Sequence, residues 1–238
     1  MSKRRETIGK ILSWVSIPTL ILFVIASAFI VQITLRPYYF WHVSMLGIEQ
    51  SSGYSFSEIA LAFNDVMDFI WFGAPFKTGN MPFSESGKAH FEDCVPLFHL
   101  DLYVFLITGA MLLIYLVLVK TKVLPKPRLF GFHPFFFAAI VLLLFLSVIL
   151  IIGMVDFYTL FELFHKVLFP GKTNWIFDYR TDPVINILPE SFFLCCGIFA
   201  GIVAGSEIIA MLVSSLLFHT SEKEERKIKL TLGIEKVL

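Results

Sequence analysis

HPFFFAAIVLLLFLSVILIIGMV, residues 133–155, carries no Asp, Glu, Lys or Arg and exceeds the roughly 20 apolar residues needed to cross a bilayer core. Residues 11–35, 102–119 and 191–218 have the same character. The 238-residue chain is 57% hydrophobic and only 16% charged, a balance that excludes an ordinary soluble domain. These runs predict an all-α membrane protein with four transmembrane helices. A formal net charge of zero gives no overall basic field, so nucleic acid is not an expected partner.

Working outward from residues 133–155, the two flanks differ in charge. The preceding connection, 120–132, holds Lys120, Lys122, Lys126 and Arg128. Lys3, Arg4, Arg5 and Lys10 lie before the first run, and Lys223, Arg226, Lys227 and Lys229 lie after the fourth. The positive-inside rule puts these three segments, 1–10, 120–132 and 219–238, in the cytoplasm. Residues 36–101 and 156–190 then face outward, and they hold 13 of the 19 acidic residues, which fits the same polarity. The first run is too long for a signal-peptide core and lacks a small-residue cleavage site, so it reads as a retained anchor. Ser13, Ser16, Pro18 and Gln32 interrupt it, and helix packing is their simplest reading.

The outer segments carry the chemistry. In residues 54–72, Ser55 and Glu58 have capping-box spacing, and Ile59, Phe63, Val66 and Ile70 recur at helical intervals, with Asn64, Asp65 and Asp68 on the opposite face. This predicts an amphipathic helix along the interface, ended by Gly73 and Pro75. Arg36 to Trp41 reads as an aromatic belt with a cation. A short helix starting at Ser84 puts His90 and Asp93 on one face just before the second span. The second outer segment, DFYTLFELFHKVLFPGKTNWIFDYRTDPVINILP (156–189), contains eight aromatic residues, too many for a disordered loop. Its first part is expected to prolong the third span past Asp156, with His165 leaving an apolar stripe of Phe157, Phe161, Phe164 and Leu168, until Pro170 and Gly171 stop it. Gly197, Gly201 and Gly205 in the fourth span form a double GxxxG, which predicts close approach of another helix. Glu207, nearer the cytoplasmic end of that span, is assigned a structural hydrogen bond ahead of a functional role.

Of six histidines, His42, His99, His133 and His219 sit at span boundaries, where an amphipathic ring is comfortable. His90 and His165 stand apart beside aromatic loops. Neither HExxH nor GxSxG is present, so neither a zinc hydrolase nor a serine acyltransferase has a motif to rest on, although His90, Asp93 and His165 could together hold a metal. Cys94, one turn from His90, has three open readings: a thiol of lowered pKa, a disulfide to Cys195 or Cys196, or an inert buried thiol.

The series Phe164, His165, Phe169, Asn174, Trp175, Asp178, Asp182, Pro189 and Phe193, preceded by the HxxD segment His90 to Asp93, resembles the signature of the lipoprotein intramolecular transacylase family of Gram-positive bacteria. The likeness runs over nearly the whole chain. It departs at Cys94, where the resemblance leads one to expect valine, and at Gly87, where an acidic residue often completes the helix cap. The resemblance implies a multi-pass protein of the bacterial plasma membrane, with an extracytoplasmic helical cap and an active site at the outer leaflet. It implies transfer of the sn-2 acyl chain of a diacylglyceryl-modified lipoprotein to the α-amino group of the same cysteine, by a monomer working among membrane lipids without cofactor or metal. His90 and His165 would be catalytic. Asp93, Asn174, Trp175, Asp178, Asp182, Phe164, Phe169 and Phe193 would orient them or bind substrate, and Phe192 would join the aromatic clamp. The reading that needs no chemistry is a four-helix scaffold whose aromatic cap binds a lipid or a protein.

Overall fold

The computed structural model describes residues 3–125 and 128–231; Lys126 and the last seven residues of the expected cytoplasmic tail lie outside the described residues. The architecture is all helical: α1 (Lys3–Thr34), α2 (Arg36–Met45), α3 (Ile48–Ser52), α4 (Phe56–Phe72), α5 (Glu85–Lys120), α6 (Pro134–Val155), α7 (Phe157–Leu168), α8 (Val184–Ile187) and α9 (Glu190–Thr231). Four of these, α1, α5, α6 and α9, are long and apolar enough to cross a membrane. The described residues form two compact units, one from Ala26–Phe105 with Val148–Ile202 and one from the rest. The second of these is held by Leu20, Val24, Ala138, Ala139, Leu142, Ile208 and Met211, an apolar layer with small residues at its centre.

The unit of Ala26–Phe105 and Val148–Ile202 contains every candidate site residue. Its core is built on α2 and α4. Tyr39 is fully buried, stacks on Phe63 with ring centroids 3.8 Å apart and donates its hydroxyl to the Ile187 carbonyl at 2.6 Å. The expected apolar face of α4 is the buried one, with Ile59, Phe63, Val66 and Ile70 all in the core. Its capping box is complete: the Glu58 amide donates to Ser55 Oγ at 3.4 Å and the Ser55 amide to Glu58 Oε2 at 2.8 Å. Ser55→Ala is therefore expected to cost about 1 kcal/mol, measured as a lowered thermal midpoint in detergent.

The polar face of α4 is spent on protein partners. Arg36 donates to Asn64 Oδ1 at 2.8 Å and pairs with Asp68, while Asp65 accepts the Gly79 amide at 3.1 Å. Arg36 is thus a tie between α2 and α4, where an interfacial cation was expected. Trp71 Nε1 donates to the Ile33 carbonyl at 2.9 Å, satisfying an acceptor left open at the end of α1. His42, expected at a boundary, is buried, with Nδ1 2.7 Å from the Tyr38 carbonyl.

Three other expectations change. The third span does not run on past Asp156: that residue is extended (φ −158°) and caps a new helix, α7, by accepting the Tyr158 amide at 3.0 Å. A carboxylate after an apolar run offers the next helix a better N-cap than it offers the old one an interior position. The short helix at Ser84 is continuous with the second span, and α5 passes through Pro96 to Lys120. At 1.5 Å per residue its length is about 54 Å against a bilayer core of about 30 Å, so one end projects. Glu85–Asp101 holds every acidic residue of α5 and precedes its apolar run, which marks it as the projecting end. The double GxxxG does not buy backbone contact: a Cβ on Gly197 or Gly201 would meet only side chains at 3.8 and 4.0 Å, and one on Gly205 would meet nothing within 4 Å.

Candidate active site

His90, on the projecting part of α5, and His165, on α7, come together with ring centroids 5.9 Å apart. Both are buried, at 7% and 8% exposure. His165 is held by its own helix, because Nδ1 lies 2.8 Å from the carbonyl of Phe161 one turn earlier. A carbonyl only accepts, so Nδ1 carries the proton and Nε2 of the neutral ring carries the lone pair. Trp175 stacks on His165 at 4.8 Å and the Phe161 ring packs on it at 4.2 Å. Phe169 and Phe177 meet His90 edge-on at 4.9 and 5.5 Å.

This aromatic wall buries both rings and disfavours imidazolium. Burial is the main force pushing His165 below its ordinary pKa, opposed by the hydrogen bond to Phe161. Burial, then the neighbouring His165, push His90 down to about 4. Two neutral rings side by side can each accept or donate a proton.

The other expected residues divide into three groups. Asp93 does not orient a histidine: its oxygens take Lys172 Nζ and, at 2.9 Å, Asn174 Nδ2. These partners, Lys172 first, hold the Asp93 carboxyl below the usual carboxylate range. Asp93 thereby ties α5 to the loop bearing Phe169 and Trp175, and Trp175 Nε1 closes that loop on the Lys172 carbonyl at 3.0 Å. With both oxygens engaged, Asp93 does not complete a metal set with the histidines, and no group of three such ligands occurs among the described residues.

Asp182 is engaged at the start of α5 and not by the histidines. It is buried, accepts the Ser84 amide at 2.7 Å and the Ser84 hydroxyl at 2.8 Å, and accepts Thr181 Oγ1 at 2.8 Å. Ser84 Oγ in turn accepts the Gly87 amide at 2.9 Å. Asp178 is exposed and serves a local turn, accepting the Arg180 amide at 2.9 Å. Phe164 is exposed but touches His165 edge-on at 5.5 Å; Phe193 packs at 5.3 Å on Phe161, one layer behind His165. Phe192 belongs to the core, packed against Tyr39 and His42, and not to the histidine wall. Lys172 and Phe177 were not expected, and Ser84, expected as the start of the short helix, does cap it but also donates to Asp182. No local pattern announces a lysine whose partner lies on another helix, and only the i−4 position of Phe161 was open to reading.

A profile described as "Lipoprotein intramolecular transacylase Lit" matches residues 14–193. The chain belongs to this family. Its members are acyltransferases, so this transacylase is a multi-pass membrane enzyme acting on lipoprotein substrates. Its fold is also that of the membrane-integral lipoprotein intramolecular transacylase Lit of Bacillus cereus solved in meso, at TM-score 0.78 and 19% identity, covering 92% of this chain and 99% of that one. Two structures of that protein with one histidine replaced match at TM-scores 0.70 and 0.71, each at 18% identity and 92% coverage of this chain, with 95% and 96% of theirs. No curated protein matches the sequence.

Gly87, where the resemblance led one to expect an acidic residue, has no space for a side chain. A Cβ at Gly87 would stand 2.2 Å from Asp182 Oδ1 and 3.0 Å from the Phe177 ring. The Asp182 carboxylate occupies the place that an acidic side chain on residue 87 would need. Cys94, Cys195 and Cys196 are all free, so the expected disulfide alternative is not formed, and burial pushes the Cys94 thiol up to about 12, opposite to the lowered-pKa reading.

Proposed function

We propose that this transacylase moves the sn-2 acyl chain of an S-diacylglyceryl cysteine to that residue's α-amino group, at the outer leaflet, with His165 as base and His90 as its partner. The observation carrying the reading is the approach of the two imidazoles to 5.9 Å inside an aromatic enclosure. Amine and ester both arrive on the substrate, so the protein need supply no nucleophile, metal or cofactor. Holding the two in contact is worth up to about 7–11 kcal/mol.

The amine nitrogen attacks the ester carbonyl, and its proton passes to His165 Nε2, the lone-pair nitrogen. The C–N bond forms, the tetrahedral oxyanion collapses, and the C–O bond to glycerol breaks. The glyceryl oxygen takes up the proton, leaving an N-acyl, S-monoacylglyceryl lipoprotein. His90 faces the oxygen on which charge develops. One chain supplies both rings, which supports a working monomer. The lysine and arginine distribution supports cytoplasmic termini and an outward-facing site.

Product and substrate are isomers, so intact mass does not distinguish them. Tandem mass spectrometry of a diacylglyceryl lipopeptide incubated with the purified enzyme is expected to locate one acyl chain on the α-nitrogen. Fragments with a free amine throughout would contradict the reading.

The pH profile carries a sign. Because burial lowers His165 from its ordinary 6.5, the ring stays neutral as pH falls through 6.5 and protonates only below it. The enzyme's acid limb in kcat/KM is thus expected below pH 6.5, while the rise toward pH 8 follows the substrate amine, ordinarily near 7.7–8.0. An N-methylated or otherwise pKa-shifted amine should move the upper limb alone.

A further inference from the structure

We propose that the Cys94 thiol holds His90 in the tautomer protonated on Nδ1, so that His90 is the hydrogen-bond donor of the pair and His165 the acceptor. This rests on the reading of the two rings as the acid–base pair of the reaction. Cys94 lies one turn after His90 on α5, with Sγ 3.6 Å from Nε2. A thiol has a proton to give, and an imidazole lone pair is a far better acceptor than sulfur, so the bond runs from S–H to Nε2. Nε2 is then the unprotonated nitrogen, and the neutral ring carries its proton on Nδ1.

A second observation shows what that tautomer offers the substrate. His90 is 7% exposed, and its Nδ1 is buried without a hydrogen-bond partner. A buried N–H without an acceptor is costly, and an oxygen gaining negative charge is the acceptor it suits. Asp93, the other candidate for orienting the ring, is engaged by Lys172 and Asn174. Burial keeps the thiol protonated across the working range. The two rings are thereby made complementary by different neighbours, the Phe161 carbonyl fixing His165 and the Cys94 thiol fixing His90. Cys94 is a positioning residue, acting on the reaction only through the His90 ring.

The test is 15N NMR of ring-labelled histidine in the intact wild-type enzyme in nanodiscs, alongside kinetics of Cys94→Val and Cys94→Ser. His90 is expected to carry its proton on Nδ1 in the wild type and in Cys94→Ser, and to redistribute toward the other tautomer in Cys94→Val. Losing one modest hydrogen bond should lower kcat of Cys94→Val by about 2- to 10-fold with KM unchanged, and serine should restore it. A wild-type His90 protonated on Nε2 overturns the proposal, as does a Cys94→Val enzyme with wild-type tautomer and kcat. The NMR arm reads the ring without turnover. If it gives the expected tautomer while His90→Ala remains fully active, the catalytic reading fails and the thiol–imidazole bond stands.

Discussion

His165→Ala is expected to lower the rate of N-acylation by about 10²- to 10⁴-fold, the usual worth of a positioned general base. Of the two paired histidines, it is the one whose lone pair is directed by a backbone bond, from Nδ1 to the Phe161 carbonyl. His90→Ala should be of similar severity, because its ring is the neighbour at 5.9 Å. The informative enzyme is the double variant. Two groups serving one transition state are strongly non-additive, so removing both should cost little more than the worse single change. Losses that multiply would mean that the rings act independently. Initial rates on a defined lipopeptide, with folding checked by thermal unfolding, measure all three.

The second large effect concerns stability. Asp182→Ala removes a buried carboxylate that accepts from Ser84 twice and from Thr181 once, leaving those donors without it. Hydrogen bonds to a charged group are worth about 1.5–3 kcal/mol each, and water can replace some of them, so we expect a net loss of roughly 2–4 kcal/mol. Activity should fall with it, since Ser84 starts the helix that presents His90 less than two turns later. Gly87→Ala attacks the same point from the other side, by placing a methyl 2.2 Å from Asp182 Oδ1, and should cost about 1–3 kcal/mol as overpacking. In an Asp182→Ala background the added methyl escapes its closest clash and meets only the Phe177 ring, so the double variant should lose less than the two singles summed. Thermal midpoints in detergent read the cycle, and simple additivity would contradict this account of the glycine.

The reach of the sequence follows the range of the interactions. Span number and the α4 capping box were legible because hydropathy over a window and an i, i+3 pair are local signals. The break at Asp156 was misread because periodicity on both sides of a cap looks like one helix. Asp93 was expected to orient a histidine because it lies at i+3 from His90. Its real partners, Lys172 and Asn174, come from a loop after α7, and no local pattern encodes that pairing. Asp182 and Gly87 are the same case: the space that explains the glycine is filled by a residue far along the chain. The meeting of His90 and His165 belongs to this class too, since it joins residues on α5 and α7 that are far apart along the chain.

If these two imidazoles drive acyl transfer within a single lipopeptide, no acyl chain passes from one substrate molecule to another. An equimolar mixture of two diacylglyceryl lipopeptides, one with deuterated acyl chains and a mass-tagged peptide, tests it when given to wild-type enzyme and to His165→Ala. The wild type should yield N-acylated products in which light chains stay on light peptide and heavy on heavy, and the variant should yield almost none in the same time. Heavy chains on light peptide, or N-acylation by the variant at the wild-type rate, would contradict the account.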